Sequence, residues 1–96
     1  MSTPTYDLTS IKAFIKSGRY RVTLSAKQGA SEMGMDTGDI ETCILDLSSR
    51  DFYKTMAAEK VSGLYQDVYR PQFKGFDLYV KLQITAEAVV ISFKEK

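Results

Sequence analysis

The 96-residue chain contains no histidine, no tryptophan and only one cysteine. Without histidine it lacks the commonest general base and the commonest metal ligand, which excludes Ser-His and Cys-His catalytic pairs. Cys43 alone cannot form an internal disulfide or a cysteine-rich zinc site. Its position in an apolar run predicts a buried, unreactive thiol. We therefore expect neither a metal site nor a cofactor.

An excess of charge of either sign is also missing, because 13 Lys and Arg offset 12 Asp and Glu to a net charge of +1. A bound anion must then be held by locally placed cations rather than by the field of the whole molecule. The length predicts one domain, residues 1–96. No signal-peptide pattern is visible, and no apolar run reaches the ~20 residues that span a bilayer. These absences predict a cytoplasmic protein without membrane contact.

Helical spacing is found mainly near the N-terminus. A helix is predicted from a cap at Asp7 or Thr9 to about Ser17, with Gly18 as its stop. Residues 19–23 are typical of a short strand, and residues 25–33 predict a weaker helix.

The middle of the chain is predicted to be loop and strand. Every charge from Glu32 to Asp46 is acidic, and we interpret these acids as solvated residues of a loop and a strand over 40–47. Ser48 and Asp51 match a capping box, which predicts a short helix through Phe52 and Tyr53. Residues 54–59 and 64–70 are predicted to be extended, with Pro71 ending the second stretch.

The C-terminal part shows the clearest pattern. Residues 78–85 alternate apolar and polar side chains, as a half-buried strand does, and residues 88–94 continue after a turn. A two-residue turn would place Thr85 opposite Ala88 and create one apolar face. The predicted apolar pairs are Ile84 with Val89, Leu82 with Ile91, and Val80 with Phe93. Helices followed by such strands predict an α+β fold, an antiparallel twisted sheet with the N-terminal helices packed on one face.

The opposite face of this hairpin carries polar groups, since Lys81 would meet Ser92 and Tyr79 would meet Lys94. Such a face is most often simply solvated. A phenol beside ammonium groups can, however, support RNA cleavage by the RNA's own 2′-hydroxyl. That reaction needs a base, an acid and cations for the anionic phosphorane, and it requires neither histidine nor metal.

Four motifs follow one another along the chain at 51–56, 65–71, 78–81 and 91–96, reading DFYKTM, YQDVYRP, LYVK and ISFKEK. Together they resemble the MqsR toxins, which are bacterial mRNA interferases of type II toxin–antitoxin systems. The opening residues 3–8 are also similar, so the resemblance covers nearly the whole chain.

The resemblance implies a RelE-like fold and a ribosome-independent endoribonuclease that cuts single-stranded mRNA at short GC-containing sites, typically near GCU. It also implies a cognate antitoxin with a zinc-binding domain and a helix-turn-helix DNA-binding domain. This chain alone is not expected to bind DNA.

Carried over motif by motif, the resemblance implies four catalytic residues. These are Lys54, Gln66, Tyr79 and Lys94. Arg70, Lys81 and Tyr65 are further candidates for RNA contact, although ion pairing of Lys81 and Arg70 with Asp67 or Asp77 is an equal alternative. The competing functional hypothesis is a module of the same fold that binds RNA or antitoxin without cleaving anything.

Overall fold

Three helices cover one face of a six-stranded sheet in the computed structural model, which describes residues 3–96. The helices are α1 (Leu8–Lys16), α2 (Leu24–Glu32) and α3 (Thr37–Leu45). The strands are β1 (Tyr20–Val22), β2 (Phe52–Ala57), β3 (Tyr65–Tyr69), β4 (Gln72–Phe73), β5 (Phe76–Ile84) and β6 (Ala88–Glu95). The predicted α+β class is confirmed.

The strands follow the order β1-β6-β5-β3-β2, and β4 pairs separately with β5. All pairings are antiparallel except β1 with β6, so the sheet is mixed rather than purely antiparallel. β1 lies between α1 and α2 in the sequence and forms the edge of the sheet beside the last strand, β6. No helix within residues 3–96 is long and apolar enough to cross a membrane.

The first two helices begin close to where the sequence predicts. Asp7, not Thr9, caps α1 and accepts a hydrogen bond of 3.2 Å from the Thr9 N–H. Thr23 caps α2 through a bond of 3.1 Å from the Ala26 N–H. In both cases a side-chain oxygen satisfies an N–H group that the first helical turn leaves free.

The strand predicted over 40–47 is wrong, because residues 40–45 belong to α3 and Asp46 is its C-cap. Asp36 and Asp39 form a capping box with two bonds of 3.0 Å between side chain and backbone. Ile40, Cys43 and Ile44 then follow at helical spacing and are all buried. The apolar run alone did not distinguish a short helix from a strand, whereas the cap decides it.

Three of the five acidic residues from Glu32 to Asp46 have structural roles, whereas Glu32 and Asp46 are exposed as predicted. Asp39 accepts a hydrogen bond of 2.5 Å from Lys74, which lowers the pKa of the Asp39 carboxyl. Glu41 accepts a hydrogen bond from the Tyr20 hydroxyl. Burial and this bond raise the pKa of Tyr20 to about 12. The acids thus connect α3 to β1 and to the β4–β5 turn.

The short helix predicted through Phe52 and Tyr53 ends earlier. Its capping box is present, since the Ser48 N–H donates to Asp51 at 2.8 Å, but the 3₁₀ turn spans only Ser49–Asp51. Phe52 already belongs to β2 and packs edge-on against Tyr69, with ring centroids 5.6 Å apart. The core contact of Phe52 overrides the local preference for a longer helix.

The β5–β6 pairing confirms half of the predicted register. Tyr79 pairs with Lys94, Val80 with Phe93 and Lys81 with Ser92, as predicted. From Leu82 onward the register shifts by one residue, so Leu82 pairs with Val90 rather than Ile91. Correspondingly, Ile84 pairs with Ala88 rather than Val89. The connecting turn has three residues instead of two, and Ile91 occupies the bulge.

The core lies between the helices and one face of the sheet. Leu78, Val80 and Leu82 of β5 contribute alternate side chains to it. Cys43 is 2% exposed, and burial raises the pKa of its thiol to about 12. This confirms the predicted burial, and a thiol that stays protonated is a poor nucleophile.

Gly29 allows α2 to approach β6 at backbone distance. A Cβ atom built at this position would lie 2.1 Å from the Phe93 carbonyl oxygen, so any side chain would push the helix off the strand. The contact matters for the sheet because Phe93 is fully buried and pairs with Val80.

We expect Gly29→Ala to lower the free energy of unfolding by roughly 1–3 kcal/mol, the usual cost of overpacking, despite alanine's better helix propensity. Urea denaturation followed by circular dichroism measures this. Gly38→Ala in α3 is the matched control, since its Cβ would meet only the Asp36 side chain at 3.2 Å. Equal stability of the two variants would contradict this account of α2 docking.

Candidate active site

The sheet face turned away from the helices, here called the outer face, carries the polar residues of β5. They are Tyr79, Lys81 and Gln83, which alternate with the core residues of the same strand. Strand pairing adds residues of β2 and β3 to the outer face. Lys54 on β2 pairs with Val68 on β3, and Val68 pairs with Lys81. Paired residues share a face, so Lys54 and Lys81 flank Val68.

The Tyr79 ring lies between two ammonium groups. Lys94 pairs with Tyr79, and its Nζ is 5.2 Å from the ring centroid. The Nζ of Lys81, two residues along β5, is 5.9 Å from the same centroid. Both distances allow cation–π attraction, which holds the lysines beside the phenol. The Tyr79 hydroxyl lies 3.9 Å from the Met56 sulfur of β2.

Gln66 joins this face through a second side chain of β5. Its Nε2 donates to the Gln83 Oε1 at 2.9 Å, and Gln66 pairs across β2–β3 with Met56. Met56 therefore contacts Tyr79 and neighbours Gln66. The four predicted catalytic residues, Lys54, Gln66, Tyr79 and Lys94, are thus placed on one face by four different strands.

The cations of the outer face are not neutralised by neighbouring carboxylates. The ion pairs found within residues 3–96 are Arg21 with Glu87 and Lys74 with Asp39, and neither involves Lys54, Lys81, Lys94 or Arg70. The alternative that Lys81 and Arg70 pair with Asp67 or Asp77 therefore does not describe this structure. Unpaired cations on a rigid sheet are suited to bind an anion such as phosphate.

Tyr53 belongs to the same region, although sequence reasoning assigned it only to a helix. It lies at the β2 irregularity between Phe52 and Lys54 and is 49% exposed. The Arg70 guanidinium is 4.5 Å from its ring centroid, and the Lys54 Nζ is 5.5 Å from it. An exposed ring flanked by cations offers a surface on which a base could stack. Its place beside Lys54 in the first motif was the available signal.

Tyr65, a candidate for RNA contact, lies apart from the others. It precedes Gln66 on β3, so strand alternation turns it toward the opposite face. Its carbonyl accepts a 2.6 Å hydrogen bond from the Tyr6 hydroxyl. Beside it, the fully buried Asp67 accepts bonds of 2.9 and 2.8 Å from the N–H groups of Thr5 and Tyr6. This part of β3 therefore fastens the N-terminal segment.

Val68 explains why residues 64–69 show no clean alternation. It is fully buried although it points to the outer face, outside the core cluster. Its neighbour Tyr69 is fully buried on the core side, where burial raises the pKa of its hydroxyl to about 12. At Val68 and Tyr69 both faces of β3 are therefore buried, although only Tyr69 belongs to the core cluster.

No group of three or more Cys, Asp or Glu side chains within residues 3–96 is placed to hold a metal ion, and the chain has no histidine. The chemistry that this face can offer consists of a phenol, ammonium and guanidinium groups, and carboxamides.

Comparison with known proteins agrees with the four motifs. A family model described as "Motility quorum-sensing regulator, toxin of MqsA" matches residues 3–95. The chain is also 36% identical to the mRNA interferase toxin MqsR of Escherichia coli (strain K12) over 94 residues, 98% of this chain and 96% of that protein.

These matches identify the class as a toxin. The chain belongs to the MqsR toxin family, which confirms the membership that the motifs predict.

The Gln66–Gln83 bond should be visible as a coupling energy. Gln83 is only 9% exposed, so Gln66→Leu leaves its carbonyl without a donor and should cost about 1–3 kcal/mol of unfolding free energy. Adding Gln83→Leu should recover part of that loss, because both partners are then apolar. Urea denaturation of the double-mutant cycle measures this, with Gln28→Leu on exposed α2 as control. Strict additivity would mean that the amides do not interact.

Proposed function

We propose that this chain is an endoribonuclease toxin that cleaves single-stranded mRNA without ribosome or metal ion, in the cytoplasm. The substrate sites are short GC-containing sequences resembling GCU. The products carry a 2′,3′-cyclic phosphate and a 5′-hydroxyl. Family membership supports the class, and the curated relative named an mRNA interferase supports the substrate.

One observation carries the proposal most directly, namely the Tyr79 phenol held between Lys94 and Lys81 on the outer face. A phosphodiester placed over this group would meet a proton-carrying hydroxyl and two positive charges together. Because Tyr79 and Lys94 are paired residues of adjacent strands, their spacing is fixed by the sheet rather than by a loop.

The reaction divides into bond changes that these groups can support. The 2′-oxygen bonds to phosphorus as a base takes its proton, which gives a phosphorane with extra negative charge. The bond from phosphorus to the 5′-oxygen then breaks as an acid protonates that oxygen. The two proton transfers fall to two of the three residues Lys54, Tyr79 and Lys94, and the ammonium groups stabilise the phosphorane.

The remaining polar residues position the RNA. Gln66 is held by Gln83 and orients the nucleotide by hydrogen bonding. Arg70 and Lys81 contact the phosphate backbone, which fixes position without reading sequence.

A cognate antitoxin neutralises the enzyme in this proposal. The family description, a toxin of MqsA, supports such a partner. We propose that it carries the zinc-binding and helix-turn-helix domains that the resemblance implies, so that DNA binding belongs to the antitoxin rather than to this chain.

Incubation with a GCU-containing RNA and excess EDTA should yield fragments with 2′,3′-cyclic phosphate and 5′-hydroxyl ends. Chelation should leave the rate unchanged, because the proposed groups are all side chains. End-group mapping of the fragments measures this. Activity that disappears with EDTA and returns with a divalent cation would contradict the mechanism, and intact RNA under all conditions would favour the non-catalytic binding module.

Tyr79→Phe keeps the ring and its cationic neighbours but removes the transferable proton, so we expect the cleavage rate to fall about 10²–10⁴-fold. Lys94→Ala should lower the rate by a similar factor. The matched control is Lys16→Ala, which removes an exposed lysine on α1. Growth after expression without antitoxin gives a second readout, with arrest by wild type and the control but not by the site variants. Full activity of Tyr79→Phe would exclude the phenol from proton transfer.

A further inference from the structure

A cavity of about 380 Å³ opens on the outer face next to Tyr79. It lies between the β2–β3 connection, residues 58–64, and the strands β5 and β6. Its volume falls within the ~300–1,000 Å³ typical of small-molecule pockets. The cavity is therefore large enough for a flat heterocycle.

The walls of the cavity are largely apolar. Val61 and Leu64 belong to the connection, and Val61 is 54% exposed. Ile91 lines the opposite side, where the β5–β6 bulge has removed it from the core register that the sequence predicted. Bulges often redirect a side chain beside a functional site. Here the bulge adds an aliphatic surface that could pack against the plane of a ring.

The polar part of the lining comprises Glu59, Lys60, Gln66, Lys81 and Gln83, and its two carboxamides, Gln66 and Gln83, are bonded to each other. Gln83 is 9% exposed and accepts the 2.9 Å hydrogen bond from Gln66. This bond uses one N–H of Gln66 and the carbonyl of Gln83. The side-chain N–H groups of Gln83 and the side-chain carbonyl of Gln66 remain, with no partner in the hydrogen bonds of residues 3–96. An adjacent donor and acceptor can bond to the edge of a nucleobase.

The cavity shares residues with the candidate active site. Met56 lines it and contacts the Tyr79 hydroxyl, and Lys81 lines it while facing the Tyr79 ring. A nucleotide whose base enters the cavity would therefore have its phosphate near the phenol and the lysines.

We propose that this cavity is a nucleobase subsite for the RNA and that Gln83 is a specificity-determining residue. The inference rests on the proposed function and adds the position of base reading. The Gln83 amide bonds to the edge of one base beside the scissile phosphate, and Val61, Leu64 and Ile91 pack against its ring.

Cleavage of an RNA with randomised positions around the cut tests the proposal. Sequencing of the 5′-hydroxyl ends gives the base preference at each position for wild type, Gln83→Leu and the control Gln28→Leu. Gln83→Leu should reduce the preference at one flanking position about tenfold, and the other positions should keep theirs. A uniform loss of rate with the wild-type preference at every position would overturn the proposal, because a purely structural role predicts that result.

A binding measurement separates this proposal from the proposed function. NMR spectra of the protein are recorded with each of the four ribonucleoside monophosphates, none of which can be cleaved. The side-chain amide signals of Gln83 and Gln66 should shift with some bases more than with others, and in Gln83→Leu the remaining Gln66 signal should lose that selectivity. Base-selective shifts in a protein that cleaves no RNA would contradict the nuclease proposal and support the subsite. RNA cleavage without any shift of the Gln83 side-chain amide signal would contradict the subsite and leave the nuclease proposal intact.

Discussion

The pairing of β5 with β6 is the constraint on which the rest of the structure depends. It places Val80 and Phe93 in the core, and by the same alternation it turns Tyr79 and Lys94 outward. The helices dock on the inner side of this pair, where Gly29 of α2 approaches the Phe93 carbonyl. The same strand pairing therefore packs the core and places the residues of the site. A slip of β6 by one residue would turn Lys94 toward the interior and Phe93 toward solvent.

The outer face shows how a small protein with almost no net charge can offer an anion-binding surface. None of its cations forms an ion pair within residues 3–96, and several carboxylates of the chain are used elsewhere. Asp67 fastens the N-terminal segment, Asp36 and Asp39 begin α3, and Glu41 binds Tyr20. Lys81 and Lys94 instead lie beside Tyr79, and Lys54 and Lys81 flank the fully buried Val68 on the neighbouring strands. The unpaired cations of the outer face therefore take the place of a high net positive charge.

Prediction from the sequence succeeded where the signal was local. The alternation in 78–85 predicted the strand and the Tyr79–Lys94 pair, and Asp7 predicted the start of α1. It failed over 40–47, where a short apolar run is compatible with helix and strand alike, and the Asp36–Asp39 cap was interpreted as loop. The four motifs predicted the family to which the chain belongs. They could not show which face of β3 carries Tyr65 and which carries Gln66, because Val68 and Tyr69 are both fully buried and leave no clean alternation.

The sequence by itself determined the alternation along β5, where the first helices begin, and which family the chain belongs to. Only the tertiary structure decided the two irregularities of the sheet, at Tyr53 in β2 and at Ile91 in β6. A bulge depends on the length of the turn and on the partner strand, both of which lie outside any local window of sequence. For that reason the ring beside Lys54 and the cavity beside Gln83 emerged only once the strands were paired.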